Sequence, residues 1–440
     1  HSTLLADRID YQRGVVRLFA RRNNGGVQSY TAGGDLNGNY RIWKRDFRTS
    51  LGFTAWNSRR NPYDHFANPD FGEQNAHIGT PVRSSATALG FDRIEIPLNN
   101  VRAAMDRLIN IPSEQYRIPP TAQIGTLVDT TESNVYLQQN IEVIPNRLII
   151  TGAVSKIYNQ ANSENYTAVP PTTFTNTVQE NRNNRNLHRF GLVLNVTKNI
   201  ALYGVETTNV VFINSSSRTA DGSFIPPRDG QMREAGVKAS LFDDRVSLTA
   251  AIYNTYYTNW AVSRTGAVIP EYGFNVFDLI RDSYIKGWDF SLAMRPVRDW
   301  QVMFNLTEQD PRVQATNSPL PSSNRGSWSV FTSYKLKGDV LGKFRVGGGA
   351  NRFRKRLTGA SQLVLPSGQA GSSLLPGGQY YLKDGTMTTA FVEFNATRRL
   401  SLRLNVNNVF DEVMVVGAQH WAAIDPSQPR TFSVIVTYRY

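Results

Sequence analysis

The sequence predicts an all-β fold, a transmembrane antiparallel β-barrel, and three observations carry that expectation. Apolar and polar residues alternate with period two in segment after segment, the signature of strands with two unlike faces. The connections alternate between tight turns and long polar loops, as they do where a barrel has one short-turned rim and one looped rim. No apolar run reaches the roughly 20 residues a membrane helix needs, so a membrane protein with this pattern crosses with strands.

In chain order the candidate strands are GVVRLFARRN, NGNYRIW, RDFRTSLGFTAWN, SNVYLQQNIEVI, RLIITGAVSKIY, HRFGLVLNVT, NIALYGVETT and QMREAGVKASLF. There follow DRVSLTAAIYNTYYTNWAV, YIKGWDFSLAMR, WQVMFNLTEQ, SWSVFTSYKL, GKFRVGGGANRFRKR, TTAFVEFNA, LSLRLNVNNVF and TFSVIVTYRY. That is roughly sixteen strands, each long enough at about 9–11 residues to cross a bilayer when tilted. The last has Phe432, Val434, Val436, Tyr438 and Tyr440 on one face. In a closed barrel the last strand would pair with the first, which holds the terminus in the sheet.

The short connections are IPN, VTKN, LFDD, RPVRD and ATRR, all rich in turn formers or basic residues. The long ones include NQANSENYTAVPPTTFTNTVQENRNNRN, EQDPRVQATNSPLPSSNRG and GASQLVLPSGQAGSSLLPGGQ, with the longest running from about Asn57 to Leu127. Loops of that length are uncommon in compact soluble domains.

The strand faces fit a wet interior. Val246, Leu248, Ala250 and Ile252 alternate with Ser247, Thr249 and Tyr253, and Trp300, Val302, Phe304 and Leu306 alternate with Gln301, Asn305 and Thr307. Leu400, Leu402, Leu404 and Val406 likewise oppose Ser401, Arg403, Asn405 and Asn407. Tyr253, Tyr256, Tyr257 and Trp260 gather near a strand end, where an interfacial aromatic girdle is expected. A tandem of soluble β-sandwiches gives the same alternation, but no repeat at a fixed period supports it.

Composition narrows the function. Aromatics are 11% and charged residues only 19%, a balance that suits polar-faced strands and loops. The net charge of +13 is spread thinly, without the basic patch or motif of a nucleic-acid binder. There is no cysteine, hence no disulfide, thiolate metal site or cysteine nucleophile. His1, His65, His77, His188 and His420 show no metal-ligand spacing, GDVLGKF departs from a phosphate loop, and no G-x-S-x-G elbow occurs. No catalytic, cofactor-binding or metal-binding residue is assigned, and no enzymatic activity is expected. Gly347, Gly348 and Gly349 within one strand point to a close approach or a bend.

The carboxy-terminal element, Asn405, Asn408, Phe410 and Asp411 followed by Pro429, Arg430, Phe432 and Tyr440, resembles the end of TonB-dependent outer-membrane receptors. Other blocks are similar to the same family in the same order: Tyr136 and Gln138; Glu234, Gly236 and Lys238; Gly287 and Asp289; and NPDFG at Asn68 to Gly72. The resemblance covers most of the chain from about Asp35 onward. It implies a 22-stranded barrel with an amino-terminal plug, of which residues 1–440 supply a single barrel domain, the carboxy-terminal part of a longer receptor with the plug absent from this chain. It further implies a multi-pass location in the bacterial outer membrane. The function implied is TonB-driven uptake of a scarce ligand, most often a ferric siderophore, with the TonB complex acting through the plug region. By the same resemblance, Phe432, Val434, Val436, Tyr438 and Tyr440 form the strand read by the barrel-insertion machinery.

The long loops are the expected selectivity surface, since loops on a rigid scaffold carry binding. Arg352, Arg354, Lys355 and Arg356 form the densest basic cluster, and Trp421 lies in the last long loop. Arg352, Arg354, Arg356 and Trp421 are candidate contacts for an anionic ligand. Outer-membrane lipid and lipopolysaccharide phosphates, or solvent alone, are the alternative partners of the arginines. A passive sixteen-stranded porin is the main functional alternative, and a soluble β-rich binding protein the second.

Overall fold

In the computed structural model, the described residues are 2–10, 15–22, 27–60, 80–82, 93–97, 125–169, 173–213, 218–269, 274–320, 323–357, 381–420 and 423–439. The alternating segments form one antiparallel wall. Its strands are β3 (Val27–Ile42), β4 (Arg45–Arg60), β7 (Gly125–Ile144), β8 (Leu148–Val169), β9 (Thr173–Asn195), β10 (Ile200–Val211), β12 (Arg228–Leu241) and β13 (Val246–Ile269). It continues through β14 (Phe274–Met294), β15 (Trp300–Val313), β16 (Gly326–Lys335), β17 (Phe344–Arg354), β18 (Gly385–Asn395), β19 (Leu400–Asn407) and β22 (Thr431–Tyr438). Each strand pairs with its neighbour in the sequence of wall strands, so the order runs through 15 strands from β3 to β22. Among the described residues no ladder joins β22 to β3.

Outside the wall, β1 (Ser2–Asp10), β2 (Val15–Arg22), β5 (Thr80–Val82) and β6 (Arg93–Pro97) form a separate four-stranded sheet. GVVRLFARRN is therefore a strand, but it pairs with β1 and β6 and not with the wall. A two-residue strand, β11 (Arg218–Thr219), pairs in parallel with Val276 and Phe277 of β14. A short hairpin, β20 (Val415–His420) with β21 (Ala423–Pro426), sits between β19 and β22.

Connections alternate in part as the sequence predicts. Short turns follow β3, β7, β9, β12, β14, β16 and β18, and long connections follow β4, β10, β15, β17 and β19, whereas β8 ends at Val169 with β9 starting at Thr173, and β13 ends at Ile269 with β14 starting at Phe274. The tightest is Trp43–Lys44, where both residues have positive φ (47° and 64°). Two left-handed residues give the twist a two-residue hairpin needs, normally with Asn-Gly. Here no glycine marks it, and Trp43 is in the turn, not the strand.

Two differences concern length. The wall strands run from 8 to 24 residues and not a uniform 9–11. The Asn- and Thr-rich stretch is also not a loop over residues 159–169 and 173–186: β8 and β9 stay paired residue for residue out to Val169 and Thr173. Beyond a bilayer both faces of a hairpin meet water, so the alternation that marks a strand disappears while its hydrogen bonds persist.

Register settles the faces. One row across six strands reads Ala239, Leu248, Leu292, Phe304, Val330, Ala350; another reads Trp300, Tyr334, Val346, Val392, Leu404, Val434. The row of opposite parity reads Lys238, Thr249, Ser291, Asn305, Ser329, Asn351. Apolar side chains on the first face stay uncovered, with Ile252 67% and Val434 66% exposed. A wall with one apolar face and one polar face is the expected section of a barrel between lipid and lumen.

Candidate ligand-facing lumen and outer rim

On the polar face a single device recurs. An aromatic side chain lies across a glycine that is its direct partner on the adjacent strand. The pairs are Tyr136 with Gly52, Tyr203 with Gly236, Tyr257 with Gly230, Tyr253 with Gly287, and Phe391 with Gly347. A Cβ at these glycines would meet the ring at 2.5–2.8 Å, closer than real side chains approach. At Gly236, Gly287 and Gly347 a carbonyl oxygen of a flanking strand also lies 2.5 Å from the Cβ position, so ring and backbone together require the glycine, and the ring covers the backbone that the glycine leaves bare.

Tyr203 shows what the Glu234, Gly236, Lys238 block is for. These are successive inward positions on β12. Glu234 accepts a hydrogen bond from the Tyr203 hydroxyl at 2.6 Å, Gly236 receives the ring, and the Lys238 ammonium stands 5.2 Å from the ring centroid. The Tyr253 hydroxyl donates to Gln309 Oε1 at 3.1 Å, and Tyr136 donates to Asp35 two strands away. Phe391 stacks on Phe331 with centroids 6.0 Å apart and carries the Arg403 guanidinium 3.7 Å above it. Tyr253 and Tyr257 accordingly face the lumen and do not belong to an outward girdle. Tyr256, of opposite parity, donates to Asp282. A recess of about 530 Å3 opens beside the Tyr203 clasp, bordered by Arg189, Thr207, Met232, Glu234 and Lys238.

Gly348 and Gly349 have no ring within clash distance. A Cβ at either would lie 2.5 Å from a carbonyl oxygen of the flanking strands, Thr389 and Val330. The close approach read from the glycine run is therefore backbone to backbone.

The carboxy-terminal motif is a loop staple. Asn408 is 1% exposed, with φ 54°. Its Nδ2 donates to the Glu412 and Gln428 carbonyls at 2.9 and 3.0 Å, and its Oδ1 accepts from the Glu412 amide at 3.0 Å. Asp411 accepts from the Arg430 amide at 2.7 Å. Asn408 and Asp411 thus tie the start of the last long connection to its end, just before β22. Asn405 faces the polar side, where Arg403 Nε donates to it at 2.8 Å.

Arg352 and Arg354 lie at the looped end of β17. Arg352 stands in the same row as Trp328, Leu306 and Phe290, and Arg354 in the row of Gly326, Glu308 and Trp288. Both belong to the outward parity. Arg352 pairs with Asp384 at 3.5 Å and Arg354 with Glu308. Arg356 follows the strand, 5.4 Å from the Phe353 ring; partial burial lowers its pKa, against the opposing pull of Asp384. Trp421 and NPDFG lie outside the described residues, as do His1, His65, His77 and Tyr440. Phe432, Val434, Val436 and Tyr438 share the outward face of β22 and are 56–68% exposed.

Sequence reasoning passed over one luminal group, Arg228 with Tyr257 and Trp260. Its signal was an arginine two residues before a glycine that accepts a cross-strand tyrosine.

Comparison with known proteins gives a consistent picture. The profile described as TonB dependent receptor-like, beta-barrel matches residues 3–409. The chain is 24% identical over 247 residues to the ferripyoverdine receptor of Pseudomonas aeruginosa, covering 54% of this chain and 28% of that protein. It is 24% identical over 227 residues to the catecholate siderophore receptor Fiu of Escherichia coli, covering 50% of this chain and 27% of that one. The crystal structure of the ferripyoverdine receptor bound to ferripyoverdine superimposes with a TM-score of 0.71 at 17% identity, over 99% of this chain and 51% of that structure. The chain therefore spans about half the length of that solved receptor, and the matched segments just over a quarter of the two relatives.

Proposed function

The chain belongs to the TonB-dependent receptor β-barrel family, and from that premise we propose that it serves in the active, TonB-driven uptake of a ferric siderophore across the bacterial outer membrane. The observation that carries the reading is the family match along residues 3–409, on a wall whose polar face is lined by ordered side chains. The relatives' names, ferripyoverdine and catecholate siderophore receptors, support iron chelates as the ligand class. No relative or structural neighbour among those compared points to a passive porin.

Strand positions support distinct roles at the two faces. The outward rows of Arg352 and Arg354 suit headgroup phosphates of the outer leaflet, which favour charge-assisted arginine contacts. The apolar outward face of β22, with Phe432, Val434, Val436 and Tyr438, suits recognition during barrel insertion.

The test is growth. Cells lacking the gene are starved of iron and supplied with ferric pyoverdine-type, catecholate or hydroxamate siderophores one at a time. Loss of growth on one class, restored by the gene, is expected. Unchanged growth on every class sinks the proposal.

A further inference from the structure

We propose that Arg228, held on the faces of Trp260 and Tyr257, is a contact that selects catecholate-type iron chelates at the outer mouth of the lumen. This rests on the siderophore-uptake reading above and names the ligand chemistry it favours.

Arg228 is the first residue of β12, directly after a long connection, so it lies at the looped rim. Its parity is that of Gly230, Glu234 and Lys238, which makes it lumen-facing, opposite Val211 of β10. Three features fix it there. Gly230 admits the Tyr257 ring, 2.8 Å from where a Cβ would be. Asn259, with φ 55°, directs the chain so that Trp260 comes to the side of Tyr257, with ring centroids 5.9 Å apart. The Arg228 guanidinium carbon then sits 4.3 Å from the Trp260 ring centroid and 5.7 Å from that of Tyr257.

What distinguishes Arg228 is its charge balance. Other rim arginines are matched: Arg352 by Asp384, Arg354 by Glu308, Arg312 and Arg325 by Asp310, and Arg233 by Glu206. The carboxylate next to Arg228, Asp229, is taken by Arg185 at 2.8 Å. Among the described residues Arg228 has no carboxylate and no hydrogen-bond partner, and its Nε is buried without one. Ring faces hold a guanidinium but do not neutralise it. Two rows deeper, Arg189 borders the 530 Å3 recess, also without an acidic partner among the described residues. An entering ligand thus meets uncompensated cations on the luminal side, Arg228 and Arg189 among them, the first set on an aromatic platform.

That combination fits an anionic aryl oxygen donor. A ferric tris-catecholate is a strongly anionic complex with flat ring edges, whereas a ferric tris-hydroxamate is neutral and offers little to either feature. Arginine suits planar oxygen pairs through its fork of N–H donors.

The experiment measures binding of iron-55-labelled ferric catecholate and ferric hydroxamate to energy-depleted cells that produce the protein from its own gene. Receptor amounts are normalised by immunoblot of outer membranes. Arg228→Gln is expected to weaken catecholate binding about tenfold, the loss of one charge-assisted contact, and to leave any hydroxamate binding unchanged. Arg228→Lys keeps the charge but loses the planar fork, and is expected to fall between Arg228→Gln and the parent. Lys286→Gln, on the outward face, changes neither. A parent that binds catecholate while Arg228→Gln binds it within about twofold overturns this site alone. A parent that binds no siderophore overturns the uptake reading and the site with it.

Discussion

The Tyr203 ring lies across Gly236, its direct partner on the next strand, and a Cβ on that glycine would be 2.8 Å from the ring. The Tyr203 hydroxyl reaches Glu234 one inward position further along β12. Ring and glycine therefore form one unit, and substitution of either should be felt through the other.

Gly236→Ala is expected to destabilise the wall by about 1–3 kcal/mol, the usual range for forcing extra volume into a packed site. Tyr203→Ala removes the ring but leaves the Ala250 carbonyl oxygen, 2.5 Å from the Cβ position. The double variant Tyr203→Ala with Gly236→Ala should therefore recover only the ring's share of the cost, and still be more stable than the sum of the single effects predicts. Heat-modified mobility of the refolded protein reads the order of the four forms. Additive effects would mean that the ring and the glycine are independent.

Asn408 fixes the last long connection through three hydrogen bonds while almost fully buried. Asn408→Ala leaves two carbonyls and an amide without partners and places alanine at positive φ. A loss of about 2–4 kcal/mol follows from the unmet groups and the backbone conformation. Limited proteolysis of intact cells should cleave between residues 408 and 430 faster in the variant than in the parent. Equal cleavage rates would show that the staple does not hold the loop.

The two faces of β13 should answer oppositely to charge. Ile252→Arg puts a cation on the lipid side and should cost up to about 2–4 kcal/mol at mid-bilayer depth, less near the interface. Thr249→Arg, in the polar row, should be tolerated far better. The amount of folded protein in outer-membrane fractions compares them. A tolerated Ile252→Arg beside a lost Thr249→Arg would invert the assigned faces.

On β22, replacing Phe432 and Tyr438 together by serine removes apolar surface that is more than half exposed in the wall. Reduced insertion with unchanged synthesis is expected, seen as protein accumulating outside the outer-membrane fraction. Replacing Ser401 and Asn405, on the polar face of the neighbouring β19, by alanine should leave insertion normal.

Much of this architecture was legible in the chain because lipid and water impose unlike faces. Leu400 to Val406 alternates strictly, Val246 to Ile252 with the one break at Ala251, and their strands and outward faces follow. Legibility ended where both faces meet water: residues 159–169 and 173–186 have no alternation to read, yet they form the paired ends of β8 and β9. Tyr253 and Tyr257 read as part of an interfacial girdle, but tyrosine suits a wet lumen equally, and register against Gly287 and Gly230 decides for the lumen. The family-like residues Glu234, Gly236, Lys238, Asn408 and Asp411 were visible as a pattern, but their roles as clasp and staple depend on strand pairing. Arg228 carried little signal alone, since its role comes from Trp260, brought beside it from the neighbouring strand.

The central claim is energised uptake through this barrel, and the most direct measurement is the initial rate of iron-55 accumulation from the preferred ferric siderophore in cells with and without TonB. Surface binding should be equal in the two strains, while accumulation should occur only where TonB is present. Accumulation at the same rate without TonB would contradict the account and make the barrel a passive channel.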